Sequence, residues 1–70
     1  MINIIFAENL KLLMKEHALT QLDLSYMTGI AQSTISSWLN GRMDPSLTNL
    51  WILADLFDYT IDELVGRKEF

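Results

Sequence analysis

Apolar residues return at helical spacing along most of the chain. Ile2, Phe6, Leu10 and Leu13 recur three or four residues apart and predict a first helix, with Asn3 as its N-cap. Thr20, followed three residues later by Asp23, imitates a capping box and opens a second helix. Thr28-Gly29 is a stop signal that ends this helix near Met27. A third helix is expected over 32–39, closed by Asn40-Gly41. Pro45-Ser46 starts a fourth, whose buried stripe is expected to be Leu47, Leu50, Leu53, Ala54 and Phe57. Thr60-Ile61-Asp62-Glu63 is a second capping box, leading a short fifth helix through Leu64 and Val65. β-Branched residues never alternate over a useful length. The expected fold is all-α, with five helices.

Half of the residues are hydrophobic, which makes residues 32–40, "QSTISSWLN", conspicuous. Gln32, Ser33, Thr34, Ser36, Ser37 and Asn40 are polar and none carries charge. At 100° per residue, Ala31, Ile35, Trp38 and Leu39 fall on one side of this helix. Ser33, Ser37 and Asn40 lie opposite, flanked by Thr34 and Ser36, with Gln32 at the N-terminal edge near Gln21. Helices two and three, joined by a three-residue turn centred on Gly29, make a helix-turn-helix whose second helix can enter a DNA major groove. Amides and hydroxyls match base-edge donors and acceptors, glutamine pairing well with adenine N6 and N7. A merely solvated helix face would more often carry Glu and Lys. Trp38 shares its side with Ile35 and is expected in the core rather than stacked on a base. Asp62 and Glu63 are expected to cap a helix rather than form a catalytic pair. His17, near the end of helix one, suits the negative end of the helix dipole.

Composition narrows the function classes. With 70 residues the chain is expected to form one domain, with no room for a ligand-sensing one, and such a domain buries only about 60% of its unfolded surface. Cysteine is absent and histidine occurs once, which excludes disulfides and thiolate or histidine metal clusters and suits a reducing, cytoplasmic setting. The start has neither the basic region nor the apolar run of a signal peptide, and no run is long enough to span a membrane. No Ser/His/Asp set or glycine-rich phosphate loop occurs, so an enzyme is not expected. The net charge of −4 speaks against nucleic acid at first sight, because phosphate binders are usually basic. Its distribution changes that picture: residues 55–70 hold −3 of it, and the remainder is close to neutral.

Leu10, Leu13, "LTQ" at 19–21, Leu24, "GIAQSTIS" at 29–36, "NG" at 40–41, Pro45, Leu50, Leu53-Ala54 and "DEL" at 62–64 resemble the Cro/repressor-type (XRE-like) helix-turn-helix family. The resemblance covers nearly the whole chain without gaps and implies a lambda-repressor-like five-helix domain, its helix-turn-helix at about 20–39. It gives Gln32, Ser33 and Ser37 the base-facing places. Gln21 would open helix two beside a phosphate and brace Gln32 through an amide-to-amide hydrogen bond. Thr34, Asn40 and Arg42 take places that meet the sugar-phosphate backbone. Arg42 is the only cation near the motif in sequence, so helix N-terminal amides are expected to supply much of the phosphate binding. Three departures stand out. Ala31 replaces a capping Ser or Thr, which costs about 1 kcal/mol. Thr28 replaces an apolar residue and is expected to thin the core slightly. Met14 and Leu39 together replace an Arg and a Glu that often pair between helices one and three, an exchange that is often neutral or stabilising when both charges leave.

The implied function is sequence-specific transcriptional regulation in a phage lysis–lysogeny or mobile-element switch. The expected partner is a double-stranded DNA operator, with neither cofactor nor small-molecule ligand. An apolar surplus complicates this. Leu22, Met27, Trp51, Ile52 and Leu56 stand where related sequences tend to be polar. Trp51, Ile52 and Leu56 are expected to form a protein interface, either in a homodimer or with a partner repressor. The rival reading is a protein-binding modulator that keeps this fold and acts by holding another regulator. Scarce Lys and Arg favour it.

Overall fold

The computed structural model describes residues 2–68 and contains five helices among them. They are α1 (Ile2–Glu16), α2 (Gln21–Thr28), α3 (Gln32–Leu39), α4 (Leu47–Phe57) and α5 (Ile61–Leu64). The local signals account for most of these boundaries. Thr20 accepts a hydrogen bond from the Asp23 amide while the Asp23 carboxylate accepts one from the Thr20 amide, so both partners of the capping box are made. Thr60 and Glu63 repeat the arrangement ahead of α5. The Ser46 hydroxyl accepts from the Asn49 amide and caps α4. Asn3, by contrast, is not an N-cap. It lies inside α1, and its side-chain amide donates to the Gly41 carbonyl at 2.7 Å, tying α1 to the turn after α3.

Every helix contributes to one core. Phe6, Leu10, Leu13 and Met14 of α1 meet Leu24 of α2, Ile35 and Trp38 of α3, Leu50, Leu53 and Phe57 of α4, and Leu64 of α5. Trp38 is buried as expected, edge-on to Phe6 with ring centroids 5.5 Å apart. Its indole N–H finds no acceptor among the described residues, an arrangement that costs about 1–3 kcal/mol. The edge-to-face contact and the large apolar burial offset it. His17 packs its ring beside Phe57 at 5.1 Å, so the end of α1 rests on the end of α4. Asn9 donates to the carbonyls of Glu63 and Leu64, which holds α5 against α1.

Two positions expected on buried helix faces lie outside this core. Leu47 is 69% exposed, contrary to the expected α4 stripe, and Ala31 is exposed at the start of α3. On α4 the fully buried residues are Leu50, Leu53 and Phe57, so the buried stripe is turned by roughly 30° from the expected one, at 100° per residue. That rotation moves Leu47 outward and brings Ile52 and Leu56 partly under cover against the core. Among the described residues no helix is long and apolar enough to cross a membrane, and no cluster of metal-ligating side chains occurs.

Candidate nucleic-acid interface

The face that α3 offers depends on how rigidly its two ends are held. At the start, Gly29 ends α2 in the left-handed region at φ 74°, which a residue with a Cβ rarely adopts. Ser25 donates its hydroxyl to the Ile30 carbonyl at 2.6 Å. Thr28 donates to the Leu24 carbonyl and accepts from the Ile30 amide. Thr28 is therefore a clamp on the turn rather than a thinning of the core, a role the sequence reading missed. Ile30, buried, pins the middle of the turn. Ala31 provides no side-chain cap for α3, as its residue type requires.

At the other end, the amides of Gly41 and Arg42 donate to the carbonyls of Trp38 and Ser37, the paired bonds of a Schellman closure. Gly41 stands at the left-handed position, φ 68°, and its carbonyl is the one that Asn3 holds. The chain after α3 thus leaves in a set direction, with Arg42 exposed.

Between these ends α3 packs on α1 and α2 through Ile35, Trp38 and Leu39. Gln32, Ser33 and Asn40 are exposed, whereas Ser36, Ser37 and Thr34 are half-buried. Of the three residues expected to face bases, Gln32 and Ser33 are exposed and Ser37 is half-buried. Asn40 donates to the Ser36 carbonyl at 2.9 Å, which orients its amide across the last turn. Gln21 is half-buried at the start of α2, and no hydrogen bond joins its amide to that of Gln32 in the free chain. Met14 is buried and Leu39 half-buried, and both line one shallow depression between α1, the start of α2 and the end of α3.

That depression also brings two cations to the motif. Lys11 and Lys15 line it together with Gln21. A neighbouring depression is lined by Glu8, Lys11, Asn40 and Gly41. Arg42 is therefore not alone, although nothing in local sequence spacing joins α1 to the helix-turn-helix. The available signal was indirect: Lys11 and Lys15 flank Met14, and Met14 was expected to meet Leu39.

Electrostatics near the reading face are mild. Asp23 lies one turn into α2, where the backbone and hydroxyl of Thr20 hold its carboxyl below the usual range and keep it ionised. The expected interface residues separate. Trp51 is 63% exposed, but Ile52 and Leu56 are half-buried against the core. Leu47, one turn before Trp51, takes their place as an exposed apolar neighbour. Trp51, Ala54, Asp55 and Ile61 line a shallow hollow between α4 and α5.

Residues 10–64 match the helix-turn-helix family. AnsR, an HTH-type transcriptional regulator of Bacillus subtilis (strain 168), is 51% identical over 43 residues, which are 61% of this chain and 37% of that protein. YobD of the same organism, an uncharacterized HTH-type transcriptional regulator, is 34% identical over 91% of this chain and 57% of its own length. Antitoxin PezA of Streptococcus pneumoniae serotype 4 (strain ATCC BAA-334 / TIGR4) is 31% identical over 89% of this chain and 39% of its own length. The crystal structure of a transcriptional regulator from Listeria innocua superposes with a TM-score of 0.82 at 35% identity, covering 93% of this chain and 61% of that one. The chain thus spans between about a third and three-fifths of the proteins it matches. Neither this family nor its fold is that of an enzyme. Two helices clamped about a turn pinned by Ile30, a five-helix order and a match over residues 10–64 have one common explanation: the chain belongs to the XRE-type helix-turn-helix family.

Proposed function

We propose that this protein is a sequence-specific DNA-binding transcriptional regulator that reads the major groove with α3. The observation that carries the reading is the outward side of α3, which is polar and free of charge. It projects from a turn held at Ser25 and Thr28 and from a closure held by Asn3. Uncharged amides and hydroxyls discriminate base edges without repelling phosphate. Gln32, Ser33 and Ser37 contact bases; Gln21, Thr34, Asn40 and Arg42 meet the sugar-phosphate backbone. Gln21 braces Gln32 only once DNA is bound. The relatives named as transcriptional regulators support the same reading. For a phage or mobile-element setting the support is the resemblance alone.

The protein acts as a dimer on a two-part operator, with half-sites roughly 34 Å apart. Selection of duplexes from a randomised pool, followed by titration of the winners, tests the whole reading. Wild-type protein enriches one motif, and the Gln32→Ala/Ser37→Ala double variant loses the preference. Equal affinity of both proteins for the selected and scrambled duplexes sinks it.

A second reading, a modulator that binds a partner regulator, draws on the exposed Trp51 and Leu47 and on the relative named as an antitoxin. A gel shift with and without the regulator encoded next to this gene separates the two. Only the modulator changes the partner's mobility while leaving free DNA untouched.

A further inference from the structure

We propose that Lys11 and Lys15 of α1 complete a cationic rim, running from Gln21 to Arg42, that grips DNA phosphates alongside the reading face. The inference rests on the DNA-binding function proposed above. Arg42 alone would give each subunit one phosphate neutralised, a meagre hold for a protein of net charge −4. The fold supplies two more cations from outside the helix-turn-helix.

Lys11 lines both depressions that flank Leu39. One contains Gln21, where α2 begins and its first amides point outward. The other contains Asn40 and Gly41, directly before Arg42. Lys11 therefore bridges two positions assigned to the sugar-phosphate backbone, and Lys15 extends the rim one turn along α1 beside Gln21. Both lysines are exposed, and among the described residues neither is spent on an ion pair. The floor between them is apolar, Met14 and Leu39, so it offers no carboxylate to neutralise them. Glu8 in the second depression, the exposed Glu16 next to Lys15, and the exposed Asp23 and Asp44, each two residues from an end of the rim, are the acids that oppose it. The occupant follows from charge complementarity and from continuity with the α3 face: a backbone strand of the same duplex whose bases α3 reads.

Salt dependence separates phosphate contacts from base contacts. Binding of a selected duplex is followed by fluorescence anisotropy between 50 and 200 mM salt, for wild type, Lys11→Gln/Lys15→Gln, Arg42→Gln and Lys68→Gln. Each lost phosphate contact flattens the slope of log K against log salt by about 0.9 per subunit. The double variant should flatten it by about 1.8 per subunit, about 3.6 for a dimer on its two-part operator, so that roughly twelvefold of the wild-type salt sensitivity over this range disappears for each subunit bound. Its sequence preference should persist. Lys68→Gln, on the turn after α5 and lining neither depression, should match wild type. Far-UV circular dichroism confirms that each variant is folded. A double variant with wild-type slope and affinity overturns the rim while leaving the DNA-reading function standing. Failure of the wild type to bind any selected duplex overturns the proposed function and the rim together.

Discussion

Gln32 stands exposed at the first position of α3, and its side chain makes no hydrogen bond among the described residues. An amide at that place has no bond within the described chain to break before it engages a base, and a bidentate base contact is worth about 1–3 kcal/mol. Gln32→Ala should weaken binding of the selected duplex by that amount and scarcely affect a scrambled one, as measured by competition titration. Met14 makes the opposite kind of contribution. It is buried next to Leu39 where an ion pair is expected from the resemblance, and truncating a buried Met costs about 2–5 kcal/mol. Met14→Ala should therefore lower the urea midpoint sharply, whereas Met14→Leu, which conserves volume, should cost less than about 1.5 kcal/mol. A midpoint unchanged in Met14→Ala would mean that α1 and α3 do not depend on this contact.

The short helices of this fold depend on their ends. α2 has eight residues and α5 four, lengths far below what an isolated helix sustains in water. Their capping boxes therefore matter, and they respond to acid. In Asp23 and Glu63 the largest cause of the lowered carboxyl pKa is the backbone amide of the capping threonine, followed by its hydroxyl. Because both groups titrate lower in the folded than in the unfolded chain, the unfolded chain binds more protons in the acid range. Their stabilisation is complete above the unfolded values, about 3.9 for Asp and 4.3 for Glu, and is lost as pH falls through the folded ones. Asp23→Asn/Glu63→Gln should leave a smaller fall in stability between pH 5 and pH 2 than wild type shows, by denaturant unfolding at each pH. Identical acid limbs would remove these two groups from the acid response. The Asn3 tie belongs to this scale as well. Asn3→Ala leaves the Gly41 carbonyl without its side-chain partner, a loss of about 0.5–1.5 kcal/mol, and should loosen the exit of α3.

The described domain is small compared with the DNA it is proposed to straddle. Its longest Cα extent is 27 Å, and half-sites one turn apart lie roughly 34 Å from centre to centre. In the proposed dimer, two such domains at this spacing would share only a narrow edge. Such a contact is expected to be weak in solution and effective on DNA, where binding to adjacent half-sites supplies the effective concentration. A narrow contact also makes one exposed aromatic decisive, and Trp51, 63% exposed beside Leu47, is the candidate. Trp51→Ala should keep its helical content and its affinity for a single half-site, yet lose cooperative binding to the two-part operator. Cooperativity equal to wild type would place the contact elsewhere.

The order and ends of the helices were legible in the sequence because capping is a local interaction. Thr20 with Asp23, Ser46 with Asn49 and Thr60 with Glu63 act within four residues, and the structure makes all three. The outward polar side of α3 was legible too, since helical periodicity fixes which side chains share a side. Periodicity does not say which neighbour covers that side or how far. The rotation of α4 that exposes Leu47 and shelters Ile52 and Leu56 arises from the packing of five helices on one another. Asn3 reads locally as a cap; only the approach of Gly41, 38 residues later, turns it into a tie across the fold. Lys11 and Lys15 join the helix-turn-helix for the same reason. Contacts between residues far apart in sequence are decided by how the helices pack together, which no short window of residues encodes.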